Sequence, residues 1–106
     1  MVVLLSSAPA AGGDLQVACR TDAPALGWQV FDARTGLFLS EGEWHDAAPD
    51  STALTLSVPQ TPGHYRVFIS SRDDAHGWHY TQGRPFLLVE AEVGADGHVA
   101  WGTVAQ

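Results

Sequence analysis

The segment Thr61-Pro-Gly-His-Tyr-Arg-Val-Phe-Ile-Ser70 places a turn signal directly before an alternating strand. Pro62-Gly63 marks the turn because proline presets one backbone angle and glycine tolerates conformations that other residues avoid. Tyr65, Val67 and Ile69 then fall on one face of a strand, since successive side chains point to opposite sides. The segment therefore predicts a turn that leads into a half-buried strand.

This order of turn and tyrosine resembles the tyrosine corner of immunoglobulin-like sandwiches. In that corner the phenol packs inward and its hydroxyl bonds to the backbone of the upstream loop. Phe68 is out of phase with the inward set, so we expect it on the opposite face of the strand. That face is solvated in a sandwich unless a partner or another segment covers it.

The same period of two recurs along the chain, whereas helical periodicity is almost absent. Residues 28–32 and 37–44 are apolar runs joined by a short loop that ends in Gly36, which predicts a hairpin, and Asp96-Gly97 predicts another. The remaining expected strands are residues 15–19, 54–58, 86–93 and 98–104. About seven or eight short strands predict an all-β antiparallel sandwich with Ig-like or fibronectin-like connections, with a small barrel as the alternative.

The length of 106 residues fits one domain. We expect residues 14–106 to form it and residues 1–13 to be an edge strand or a partly ordered arm. The apolar stretch at residues 2–5 has no basic residue before it and is too short for a signal peptide. No segment approaches the roughly 20 apolar residues of a membrane span. These features predict a soluble, cytoplasmic protein.

The net charge of −7 excludes some classes of partner. It repels phosphate backbones and anionic membrane surfaces, so we expect neither nucleic acid nor membrane as a partner. The lack of Lys and Asn beside abundant Ala, Gly and Arg indicates a bacterial gene of high GC content. Cys19 is the only cysteine, cannot form an internal disulfide, and is expected to be a small core residue. Trp28 and Trp101 are expected in the core as well.

The long segment 72–84 contains most of the chemistry that could bind a ligand. Sugar rings stack their C–H faces on aromatic side chains, while carboxylates and amides bond their hydroxyls. Trp44, next to His45 and Asp46, forms a similar aromatic and polar cluster. The candidate ligand-binding residues are Trp78, Tyr80, Asp73, Asp74, Gln82 and Trp44. The alternative is that Trp78 and Tyr80 only attach this loop to the sandwich.

Metal binding and catalysis are weaker interpretations. The possible metal ligands of the segment are Asp73, Asp74, His76 and His79, but their spacing matches no established zinc motif. Glu41/Glu43 and Glu90/Glu92 each place two carboxylates on one strand face, which is also typical of solvated positions. No nucleophile elbow, phosphate-binding loop or dinucleotide motif is present. We therefore predict no catalytic residue, no metal and no cofactor.

The second half of the chain resembles one family of domains. Its order is the alternating strand at residues 54–58, then Pro62-Gly63-His-Tyr-Arg-Val, Gly77-Trp-His-Tyr and Pro85-Phe-Leu-Leu-Val-Glu. This is similar to the C-terminal domain of the ATPase subunits of O-antigen polysaccharide ABC transporters, and to related modules attached to bacterial glycosyltransferases. The resemblance implies an Ig-like sandwich that recognises a glycan in the cytoplasm. It covers about residues 52–104, and the chain contains no ATPase portion.

Three functional hypotheses follow, the last of which is a small metal-dependent enzyme that uses the segment from Asp73 to His79. The first is a non-catalytic module that recognises a bacterial polysaccharide through its aromatic-rich loops. The second is a protein-interaction or assembly domain, as a homodimer or as part of a larger complex, that uses an edge strand or the face with Phe68.

Overall fold

The computed structural model describes residues 2–22, 24–42, 45–48, 50–73, 77–78 and 87–103, with the backbone alone at 45, 72–73, 77–78 and 103. These residues form strands and one short 3-10 turn (Ala11–Gly13), with no α-helix among them. The strands are β1 (Val2–Pro9), β2 (Leu15–Thr21), β3 (Ala25–Asp32), β4 (Phe38–Glu41), β5 (His45–Asp46), β6 (Thr52–Leu56), β7 (Gly63–Asp73), β8 (Gly77–Trp78), β9 (Leu87–Val93) and β10 (Val99–Thr103).

The strands form two antiparallel sheets, which confirms the predicted all-β sandwich. The small sheet has the order β1-β2-β6. The large sheet has the order β10-β9-β7-β3-β4, with β5 also paired to β3 and β8 to β7. Strands β1, β2 and β6 thus lie in one sheet, and β3, β7 and β9 lie in the other. Immunoglobulin-like sandwiches separate strands A, B and E from C, F and G in the same way.

The core lies between the two sheets and is built from alternate residues. On β7, Tyr65, Val67 and Ile69 are buried while His64 and Arg66 are exposed, as the period of two predicts. β3 is buried along residues 25–30 without alternation, so that Gln29 on its outer face is buried as well as the residues that face the core. The core residues are Val2, Leu15, Val17, Cys19, Leu26, Trp28, Val30, Leu54, Leu56, Tyr65, Val67, Ile69, Leu87, Val89, Ala91 and Val93.

The tyrosine corner is present. The ring of Tyr65 is buried at the start of β7, and its hydroxyl donates a hydrogen bond of 2.7 Å to the carbonyl oxygen of Thr61. A buried hydroxyl needs such a partner, so this bond fixes the β6–β7 connection against the large sheet.

Both predicted hairpins form, and a short polar side chain stabilises each turn. In the β3–β4 turn, the backbone N–H groups of Arg34 and Thr35 donate to Oδ1 of Asp32 at 2.8 and 3.1 Å. In the β9–β10 turn, the N–H of His98 donates to Oδ1 of Asp96 at 3.0 Å. These side chains satisfy backbone donors that a tight turn leaves outside the ladder.

Two expectations about loops and strand ends were wrong. Residues 72–84 do not begin as a loop, since β7 continues to Asp73 and pairs with β8. The polar residues at this end of β7 give no alternating signal, although their backbones complete a ladder. β4 ends at Glu41, and Gly42 lies outside the strand although its N–H still donates to the carbonyl of Trp28; residues 43 and 44 lie outside the described part of the chain.

The N-terminal segment contains β1, which runs from Val2 to Pro9 at the edge of the small sheet and pairs with β2, with a register shift between Leu4 and Ser6. The two tryptophans expected in the core differ in their burial. Trp28 is in the core as expected. Trp101 is only half-buried and packs against the core from its margin.

Candidate binding surface

Most residues predicted to bind a ligand lie outside the described part of the chain. This applies to Trp44, Asp74, Tyr80 and Gln82. Asp73 and Trp78 are described by their backbones. The ladder pairs Trp78 with Arg72, and Asp73 with Gly77, at the far end of β7. Asp73 and Trp78 therefore belong to one short hairpin.

Edge strand β4 exposes a continuous apolar segment. Leu37, Phe38 and Leu39 are 64%, 50% and 37% exposed, and they are consecutive in the chain. β4 is the last strand of its sheet, paired on one side to β3. Natural edge strands usually carry charges, prolines or bulges that prevent association. β4 has a bulge and ends in Glu41, but it also presents large hydrophobic side chains to solvent.

Two aromatic rings on the outer face of the large sheet extend this segment. Phe31 on β3 packs edge-to-face against Phe38, with ring centroids 5.5 Å apart at 70°. It packs in the same manner against Phe68 on β7, at 5.2 Å and 82°. The prediction that Phe68 and Tyr65 lie on opposite faces of β7 is confirmed. We call Leu37, Phe38, Leu39, Phe31 and Phe68 together the β4 surface.

Charged side chains lie beside the aromatic rings. Nε of Arg66 is 3.3 Å from Oε1 of Glu90, and Nε2 of His64 is 3.3 Å from Oε2 of Glu92, so both acids of this pair face basic partners on β7. Arg34, in the β3–β4 turn, lines a small hollow of about 250 Å³ together with Arg66 and Glu90. Both signs of charge thus occur at the border of the β4 surface.

A buried polar pair lies on the same outer face. The hydroxyl of Ser70 donates a 2.7 Å hydrogen bond to Oε1 of Gln29, and both residues are fully buried. Nε2 of Gln29 has no hydrogen-bond partner among the described residues. On the outer face of the large sheet, Gln29 is therefore buried, whereas Phe38 is exposed to solvent.

A second concave region lies at the opposite end of the sandwich from β8. It is a cleft of about 660 Å³ between the β1–β2 and β9–β10 turns, and Trp101, Asp14, Gln60 and His98 are among its lining residues. Nε1 of Trp101 donates a 2.8 Å bond to the carbonyl of Gly13, which fixes the indole. Ligand pockets typically measure 300–1,000 Å³ and combine apolar walls with a few polar groups.

Among the described residues, the pKa values of two ionisable groups are clearly shifted by their surroundings. Burial raises the pKa of the Cys19 thiol to about 11, so this side chain is a neutral core residue, as predicted, and a poor nucleophile. The backbone N–H groups of Thr35 and Arg34 lower the pKa of Asp32. Neither group lines any of the clefts described above, and both shifts arise from local burial and hydrogen bonding.

No known protein family, curated protein or solved structure matches this chain. The described residues include no helix with the length and apolar character needed to cross a membrane. Within the same residues, no three His, Cys, Asp or Glu side chains gather closely enough to hold a metal ion. His76 and His79 lie outside this region. The function must therefore be inferred from the geometry of the chain itself.

Sequence reasoning identified Phe68 as a ring on the outer face but missed the exposed apolar segment Leu37–Leu39. The signal was present as three consecutive apolar residues in a short hairpin arm. A strand with one buried face alternates, so an uninterrupted apolar run indicates either burial on both faces or an exposed apolar edge. Only the strand order shows that β4 is an edge.

Proposed function

We propose that this domain is a non-catalytic protein-interaction or assembly domain that associates through the β4 surface. The observation that supports this proposal best is the exposure of Phe38 and Leu39 on an edge strand and of Leu37 directly before it. Isolated exposed hydrophobic residues are common on protein surfaces, but a contiguous apolar patch with a polar border is typical of interaction sites.

The chemistry of the β4 surface favours a protein partner. An edge strand offers backbone N–H and C=O groups that another extended strand can pair with. The phenylalanine rings beside it supply apolar area, and Arg34 and Arg66 supply donors for carboxylates at the border. A partner that uses both features gains main-chain hydrogen bonds and apolar burial together.

The test is site-specific photo-crosslinking in cells that express the protein. A photoreactive residue replaces Leu37 in one variant and Gln16 in the control, since Gln16 is exposed on β2 of the small sheet. We expect discrete adducts from position 37, their loss when Phe38→Ser is added, and none from position 16. Equal labelling at both positions, or none at position 37, would contradict the proposal.

Recognition of a bacterial polysaccharide is the second candidate. The cleft beside Trp101 favours it, because it combines an aromatic ring with Asp14, Gln60 and His98. The hairpin that contains Trp78 remains a separate candidate for the same function at the other end of the sandwich. The resemblance to O-antigen transporter domains supports this alternative and would place the protein in the cytoplasm of a bacterium.

The second candidate is tested by titrating the domain with O-antigen and capsule fragments while tryptophan fluorescence is recorded. A saturable change that is lost in Trp101→Ala would locate binding in the cleft. Loss in Trp78→Ala would locate it in the β7–β8 hairpin instead. A variant that fails to unfold cooperatively would be excluded from the comparison. No saturable change with any fragment would contradict polysaccharide recognition.

A further inference from the structure

We infer that the partner of β4 is β4 of a second copy of this chain, joined antiparallel about a two-fold axis at Phe38. This inference rests on the proposed assembly function and names its partner. The two large sheets would then join edge to edge into one continuous sheet.

Hydrogen bonds to β3 fix the backbone of β4, so that its outer side is available for pairing with a second strand. The carbonyl oxygen of Leu37 accepts a 2.9 Å bond from the N–H of Asp32, and the N–H of Gly42 donates a 2.6 Å bond to the carbonyl of Trp28. β4 is therefore fixed to β3 at both ends. Its outer side pairs with no other strand among the described residues. A preformed edge of this kind loses little conformational entropy when a further strand is added.

The charges around β4 make the strand complementary to itself in one direction only. Arg34 precedes the apolar residues, Glu41 follows them, and both are exposed. A parallel copy would place Glu41 beside Glu41 and Arg34 beside Arg34. An antiparallel copy places the Arg34 end of each strand beside the Glu41 end of the other. Like charges opposite one another are destabilising in a sheet, so the antiparallel arrangement is favoured.

The apolar residues determine the register of this arrangement. When two antiparallel strands are related by a two-fold axis perpendicular to the sheet, one residue lies opposite its own copy, because paired residues point to the same face. With Phe38 on the axis, next to the bulge of β4 at Leu39, Leu37 of each copy lies opposite Leu39 of the other. Each of the three exposed apolar side chains then lies opposite an apolar side chain of the other copy.

The net charge of −7 on each copy opposes this association. Salt screens the repulsion without weakening apolar burial or the main-chain ladder. The dimer is therefore expected to become tighter as salt is added. An association maintained by Arg34 and Glu41 alone would become weaker.

Sedimentation equilibrium of the whole chain, from micromolar to millimolar concentration, tests the association. Leu39→Glu is the test variant. Leu5→Glu is the matched control, since Leu5 is 45% exposed on β1 at the edge of the small sheet. We expect a monomer–dimer equilibrium whose Kd rises at least about tenfold in Leu39→Glu and is unchanged in Leu5→Glu. Equal effects of both variants, or a wild-type monomer at millimolar concentration, would overturn the inference.

Disulfide trapping tests the register. Residues directly opposite each other have Cα atoms about 4.5–5.5 Å apart, which a disulfide can bridge. Phe38→Cys should therefore form a covalent dimer under mild oxidation. Ser40→Cys should not, because its two copies would be roughly 13 Å apart. The native Cys19 is buried and does not compete. Crosslinking of Ser40→Cys but not Phe38→Cys would overturn the proposed axis.

The outcomes separate the two proposals. If the wild-type protein stays monomeric while position 37 still forms adducts with another protein in cells, the second copy is the wrong partner and the assembly function stands. If position 37 forms no adduct with another protein or with a second copy of this chain, both proposals fail.

Discussion

Replacing Gly42 with alanine is expected to destabilise the domain far more than the same change at an open glycine. Gly42 follows β4, and its N–H is bonded to the carbonyl of Trp28. A Cβ atom at this position would overlap the indole of Trp28. That ring is only 9% exposed, so it cannot move aside without opening the core.

The magnitude follows from the packing. Forcing extra volume into a filled site typically costs about 1–3 kcal/mol, and partial displacement of a buried indole adds to this. We therefore expect Gly42→Ala to lower the free energy of unfolding by about 2–4 kcal/mol. At Gly102 no atom lies within 4 Å of the added Cβ. Gly102→Ala should be neutral or stabilise by up to about 1 kcal/mol through the unfolded chain.

The assay is urea unfolding followed by far-ultraviolet circular dichroism for the wild type and both variants. A double variant, Gly42→Ala with Trp28→Phe, completes a mutant cycle, because the smaller ring leaves room for the Cβ. We expect the double variant to lose less free energy of unfolding than the sum of the losses in the two single variants. Equal stability of Gly42→Ala and Gly102→Ala, or strict additivity in the cycle, would refute the close contact.

Three further predictions concern side chains that stabilise the fold. Tyr65→Phe removes the hydroxyl bonded to Thr61 and should lower the free energy of unfolding by about 0.5–1.5 kcal/mol, measured in urea; no change would mean that the corner bond is unimportant. Because the pKa of Cys19 is about 11 in the fold against 9.0 for a free thiol, stability should fall by about 2–3 kcal/mol as pH rises through this interval. In Cys19→Ala that alkaline loss should be absent, and its persistence would assign it to other groups. The lowered pKa of Asp32 means that its contribution is present above its ordinary pKa and lost as pH falls through the lowered value. Acid titration of Asp32→Asn beside the wild type should show a smaller acid dependence, and parallel curves would contradict this.

The features that sequence predicted best depend on local chemistry. The Pro62-Gly63 turn and Tyr65 predicted the corner, because the turn fixes the chain direction and the phenol needs a nearby carbonyl. Asp96-Gly97 predicted its hairpin for the same kind of reason, since φ of Gly97 is +85°. Such features need only residues a few positions apart, and alternation then assigns the faces.

The features that sequence could not predict depend on strand order and distant contacts. The pairing of Arg72 with Trp78 replaced an expected loop, since polar residues carry no hydrophobic signal. Trp101 was expected in the core but lies at its margin, where its N–H bonds to Gly13, far away in the chain. The exposure of Leu39 follows only from the position of β4 at the end of the sheet.

Amide hydrogen exchange at two protein concentrations would test the association through β4 most directly. The wild-type chain would be labelled at micromolar and at millimolar concentration, and the exchange of β4 compared with that of β1. Pairing of β4 predicts that the amides of residues 38–41 become more protected at the higher concentration, while those of β1, the edge of the small sheet, stay unchanged. Unchanged exchange in β4, or equal protection of both edges, would contradict association through the β4 surface.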